Sequence, residues 1–139
     1  MENTLHDTPV AARPQGVSSL QTIAMPSDTN WNGDIFGGWL VSQMDLAGSV
    51  AARRRSNGRI TTIAIDAMVF HHPVHIGDVI TCYTSIEHVG NTSMKIRIEV
   101  WEEDCPGTNV RKYTEGVFTY VAIDDNGKPR PVPRDEISG

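Results

Sequence analysis

The chain has no stretch approaching the roughly 20 apolar residues that a membrane-spanning helix needs. Its opening, MENTLHDTPVAARPQG, carries acids and no apolar run, so it does not read as a signal peptide. Cysteine is scarce. Cys82 and Cys105 are widely spaced and fit no zinc or redox motif. They are expected as reduced thiols of a cytoplasmic protein, with Cys82, on a strand pattern, as core filler. Basic residues are outnumbered, 12 against 17 acids, for a net charge of -5. That balance argues against general affinity for nucleic acid or an anionic membrane, while leaving room for a local basic pocket. No internal repeat is present. At 139 residues, with 39% hydrophobic and 21% charged, what remains is one ordinary globular domain.

Residues 1–16 are polar and proline-containing and read as a flexible tail; 17–134 form the domain, and 135–139 a second short tail. VSSLQTIAM predicts a short strand stopped by Pro26. PSDTNWNGDIFGG is a loop by its turn chemistry. From Trp39 to Arg55 the only helix breaker is Gly48, and Leu40, Met44, Ala47 and Ala51 recur at the spacing of one helical stripe. Val41, Asp45, Gly48 and Ala52 form the adjacent stripe, whose small residues allow close approach to another backbone. Asn57-Gly58 is the stop, after cations suited to a helix C-terminus. The remainder predicts strands over RITTIAIDAMVFHH, VITCYTSIEHVG, SMKIRIEVW and KYTEGVFTYVAI, with EEDCPGTNV as a loop. In the third of these, Met94, Ile96, Ile98 and Val100 face one way and Lys95, Arg97 and Glu99 the other. One helix followed by long antiparallel-type strands predicts an α+β fold in which the sheet wraps the helix.

Such a helix should carry few charges, and between Trp39 and Ala52 the only one is Asp45. It reads either as a buried or capping carboxylate paired with an arginine at 53–55, or as a functional acid. The Gly37-Gly38 helix entrance two turns upstream favours the second reading. Free N–H groups there can receive negative charge developing on a carbonyl oxygen, and glycine lets a ligand come close. A carboxylate and an oxyanion site suffice for acyl transfer to water. Along one helix, however, Gly37 and Asp45 lie roughly 12 Å apart. If both serve one carbonyl, they come from different subunits, which predicts a dimer with shared active sites.

TIAMPSDTNWNGDIFGGWLVSQMD, with the later Phe70, Pro73, Val74, Gly77 and Asp78 of an F-x-x-P-V-x-x-G-D pattern, resembles the hot-dog-fold acyl-CoA thioesterases of the bacterial YciA type. The likeness runs from about Ser18 to Arg134. It implies a curved antiparallel sheet around a central helix, dimers assembled as a trimer of dimers, and hydrolysis of acyl-CoA to free acid and CoA, with no metal or redox cofactor. By the same resemblance Asp45 is the catalytic carboxylate, as general base or nucleophile. The N–H of Gly37, with Gly38, polarises the thioester carbonyl. Asn30 stands where related enzymes carry an amide near the scissile bond, and Ser49 where a hydroxyl helps hold the water. A sister branch places its acid near Asn30; this sequence has none there.

For the CoA phosphates, Arg59, Ser93 and Lys95 are the expected contacts, with Arg134 a further candidate. Arg53–Arg55 fit that role and helix termination equally. Asp34 reads as a turn residue and Asp66 as a satisfied inward or interface group. Trp31, Trp39 and Trp101 read as core or interface packing. His71, His72 and His75 are split by Pro73 and lack a completing ligand, so no metal site is expected. Two alternatives carry different chemistry. A hot-dog hydratase or dehydratase would pair its acid with a histidine, and residues 28–45 contain none. An acyl-CoA-binding regulatory module would tend to lose the acid and gain an effector segment.

Overall fold

A computed structural model describes residues 13–104 and 108–134, without the side chains of 104 and 108–110. Cys105, most of the N-terminal tail and the 135–139 tail lie outside the described residues. The elements are β1 (Val17–Ile23), a 3-10 turn (Pro26–Asp28), α1 (Gly37–Ser56), β2 (Ile60–Ile65), β3 (Val79–Val89), β4 (Ser93–Asp104) and β5 (Thr108–Ala122). The strands form one antiparallel sheet in the order β1-β3-β4-β5-β2. The helix packs against all five strands. This is the α+β arrangement expected.

Alternation in β4 sets the core. Met94, Ile96, Ile98 and Val100 are fully buried under Leu40, Met44, Ala47 and Ala52 of α1. The close approach made possible by Gly48 is to a side chain rather than a backbone: a Cβ there would meet the Tyr120 hydroxyl at 2.1 Å. Cys82 is buried core filler, and burial pushes its thiol up to about 12.

Two predicted boundaries are corrected. The strand expected over 59–72 ends at Ile65, because the ladder bulges between Thr62 and Ala64 and the chain then leaves regular pairing. Isolated bonds still tie it to β5, from Asp66 N–H to Val117 O and His71 N–H to Tyr113 O. The loop expected over 102–110 is mostly strand, since β4 and β5 pair out to Glu103↔Asn109 and Asp104↔Thr108. Glu102 accepts from Arg111 Nε at 2.7 Å across this hairpin, so its charges serve the ladder.

The outer face holds a surprise at Glu99. Facing away from the helix, it is nonetheless buried. It accepts from Trp101 Nε1 (2.8 Å), Arg97 Nε (3.2 Å) and the Gln15 N–H (3.2 Å). Residues just before β1 thus reach across the sheet. Gly16 makes that path possible, with φ +106 and Thr84 O only 2.3 Å from where a Cβ would be.

Asn57 ends α1 in the left-handed conformation, φ 57, its N–H returning to Arg53 O. Arg130 then braces the exit. Its guanidinium donates to Ser56 O (2.9 Å), Ile123 O (2.9 Å) and Arg59 O (3.2 Å). Arg130→Ala is expected to lower the unfolding free energy by about 2–3 kcal/mol, since charged donors to carbonyls are lost together. Urea denaturation would read this, and an unchanged midpoint would refute the brace.

Candidate active site

The loop before α1 is tied by Asn30. Its Oδ1 accepts the N–H groups of Asn32 (2.9 Å) and Asp34 (3.1 Å), and its own N–H donates to Asp34 O (2.7 Å). Asp34 is therefore the turn residue expected. Asp28 O and Val74 O receive the N–H groups of Phe36 and Ile35, which fixes the direction in which the chain enters the helix.

That entrance is uncapped. Phe36 occupies the N-cap position and offers no side-chain bond. Among the described residues, no acceptor meets the N–H of Gly37 or Gly38. Unpaired donors at the positive end of a 20-residue helix form a receptor for negative charge. No Cβ obstructs it. A side chain at Gly38 would meet nothing within 4 Å, and one at Gly37 only the Phe70 ring at 3.6 Å. Beside it lies a cavity of about 230 Å³ lined by Phe36, Gly37, Leu40, Phe70, His72 and Val74.

Asp45, two turns on, is half-buried and turned toward the edge of the sheet. Its Oδ1 accepts from Thr62 Oγ1 at 2.7 Å and Tyr120 Oη at 3.0 Å. Thr62 and Tyr120 are direct cross-strand partners in the β2–β5 ladder. Together they form a two-hydroxyl clamp. Oδ2 has no hydrogen-bond partner among the described residues. Burial, then the charge of Asp45 and the bond to it, hold the Tyr120 hydroxyl well above its ordinary range, so it stays a donor. Ser49 lies against the Tyr120 oxygen. Arginines 53–55 make no ion pair with Asp45: Arg55 instead donates to Pro133 O at 2.6 Å.

The expected CoA contacts gather at the other end of α1. Arg59 donates to the carbonyls of Asp124 (3.4 Å) and Asp125 (3.3 Å). Ser93 and Lys95 alternate with the inward Met94 and Ile96, opposite Val121 and Thr119 of β5. Arg134 reaches the same turn, donating to Gly90 O at 2.8 Å. None of these bonds to Asp45. Trp31 is 98% exposed, which removes it from the core of the chain, whereas Trp101 is buried and Trp39 half-buried. Asp66 is exposed rather than inward. Among the described residues no three His, Cys, Asp or Glu side chains gather as a metal site.

Thr62 and Tyr120 were missed by sequence reasoning. They stand 17 and 75 positions from Asp45, and only the register of β2 against β5 sets them side by side.

With this geometry in place, the comparisons are decisive. The model of the thioesterase superfamily matches residues 32–107. An acyl-CoA thioester hydrolase, YciA, of Salmonella typhimurium is 49% identical over 123 residues, covering 86% of this chain and 92% of the relative. The chain belongs to the thioesterase superfamily.

Within that superfamily its fold is the hot-dog fold. The Asp-to-Ala variant of HI0827, described as a hexameric broad-specificity acyl-coenzyme A thioesterase, superimposes with a TM-score of 0.82 at 46% identity, covering 87% of this chain and 89% of that one. The acyl-CoA hydrolase of Staphylococcus aureus superimposes at 0.74 with 25% identity, covering 82% of this chain and 70% of that one. In that hydrolase a threonine and an aspartate were each replaced by alanine, at positions 17 residues apart. Asp45 and Thr62 have the same spacing. No helix among the described residues is long and apolar enough to cross a membrane.

Proposed function

We propose that this thioesterase-superfamily chain hydrolyses acyl-CoA, releasing the free acid and CoA, at sites shared between two copies. One observation carries the reading. Asp45 is clamped through Oδ1 with Oδ2 left free, while the uncapped Gly37-Gly38 entrance of the same helix lies roughly 12 Å away. Neither half is complete without a second copy. The exposed edge supports such pairing: β2 ends the sheet, and Leu46, Ile63, Val69 and Phe70 are apolar and exposed nearby. The hexameric state of HI0827 supports a trimer of dimers.

In the proposed reaction, the thioester oxygen lies against the N–H groups of Gly37 and Gly38 from one copy. Asp45 of the other acts on the carbonyl carbon in one of two ways. As general base it takes a proton from water while the water oxygen bonds to that carbon. As nucleophile its carboxylate bonds first and water releases the acid. In either case the C–S bond breaks and the CoA sulfur leaves with a proton. Asn30 fixes the loop that leads into the entrance, and Ser49, beside the Tyr120 oxygen, helps hold the water. Arg59, Ser93 and Lys95 take the CoA phosphates. The buried free thiol of Cys82 suits the reducing cytoplasm.

Free-thiol release from a series of acyl-CoA esters, with native mass by sedimentation, tests this reading. Equimolar thiol and acid from an oligomer are expected, with no hydration of an enoyl-CoA. Turnover by a stable monomer, or hydration without thiol release, would overturn it.

A further inference from the structure

We infer that Tyr120 is a positioning residue for Asp45, and that Gly48 is the socket that admits its hydroxyl. The inference rests on the reading of Asp45 as the reactive carboxylate.

Tyr120 is fully buried on β5, and its ring is stacked against Phe118, with centroids 6.5 Å apart. A phenol placed this deep needs a partner for its hydroxyl. Two are in range, Asp45 Oδ1 at 3.0 Å and the Asp45 carbonyl oxygen at 3.2 Å. The hydroxyl has one proton to give. A carboxylate is the stronger acceptor, and that carbonyl already serves the helix ladder, so the proton goes to Oδ1. Ser49, one turn along α1, lies beside the phenol oxygen. Asp45 is the only charged group bearing on that oxygen among the described residues.

The contact exists because position 48 has no side chain. A Cβ there would sit 2.1 Å from Tyr120 Oη, 2.8 Å from its Cζ and 2.8 Å from Ile98 Cδ1. No flexible chain end could yield that space, since both neighbours are locked in the core. Gly48 lowers helix propensity in the middle of α1, and the socket explains its presence there. With Thr62 on the other side of Oδ1, the carboxylate is held at one oxygen by two donors on rigid strands, which fixes where Oδ2 points. Preorganisation of this kind acts on the chemical step, not on affinity.

The test is the kinetics of Tyr120→Phe, which keeps the ring and its stacking and removes only the hydroxyl. kcat is expected to fall about 10- to 100-fold, with KM within about twofold of the parent. Gly48→Ala reads the same contact from the helix side. It should lose kcat similarly, and the double variant should lose little more than either single one. A lowered melting temperature with unchanged kcat would overturn the inference, leaving Tyr120 a packing residue. Asp45→Asn separates the two levels: if it keeps activity, the reading of the site falls as well; if it is dead while Tyr120→Phe is intact, only this inference falls.

Discussion

Asp45→Asn is expected to lower kcat by about 10³-fold or more, because both routes open to this residue need a charged carboxylate. The substitution is nearly isosteric. Asn Oδ1 can still accept from Thr62 and Tyr120, which hold the present carboxylate at 2.7 and 3.0 Å. Folding and assembly should therefore survive, and KM should change little. Complementation extends the test to the shared site. If Asp45→Asn subunits are refolded with subunits defective at Gly37, half of the random dimers are mixed. Each mixed dimer has one site with both defects and one with neither. Activity should return to about a quarter of the parent value. No recovery, despite verified mixing, would mean that each chain uses its own Gly37 and Asp45. After a single turnover in ¹⁸O-labelled water, label found in Asp45 marks it as a nucleophile whose anhydride water opens at the Asp45 carbonyl carbon.

Local chemistry made the helix and its end legible. Leu40, Met44 and Ala47 repeat at helical spacing, and Asn57 adopts the left-handed turn that an Asn-Gly pair signals. β4 was legible for the same reason, since Met94 to Val100 alternate without interruption. Asp45 stood out because it is the one charge between Trp39 and Ala52 of an otherwise apolar helix. What holds Asp45 did not stand out. Thr62 looks like any β-branched strand residue, and Tyr120 like any core aromatic. Their roles exist only through β2–β5 pairing across nearly half the chain. The β4–β5 hairpin misled for a different reason. Glu102, Glu103 and Asp104 read as solvated loop, yet backbone pairing is indifferent to such charges where the strands project into solvent with a salt bridge between them. Alternation placed Glu99 on its face but could not show what covers it; residues just before β1 do so.

Gly37→Pro isolates the oxyanion half of the site, and its effect should be nearly as large. Proline at most helix positions would break the fold, but Gly37 is the first residue of α1, where an N–H has no intrahelical partner. Proline is favoured at that position, its ring presetting the φ the helix needs. The preceding residue must be extended, and Phe36, at φ -60 and ψ 137, already is. The added Cβ would stand 3.6 Å from the Phe70 ring, an ordinary contact. What the substitution removes is one N–H donor. Loss of a single oxyanion donor costs kcat about 10²- to 10³-fold. Gly37→Ala is the matched control, because it adds a similar Cβ and keeps the N–H; it should stay within about tenfold of the parent. Equal loss in both variants would assign the effect to crowding against Phe70. Near-parent turnover by Gly37→Pro would remove that N–H from the mechanism. With Pro collapsing kcat and Ala sparing it, the donor would be fixed at Gly37, and the distance to Asp45 along the same helix would then require a second copy at every working site.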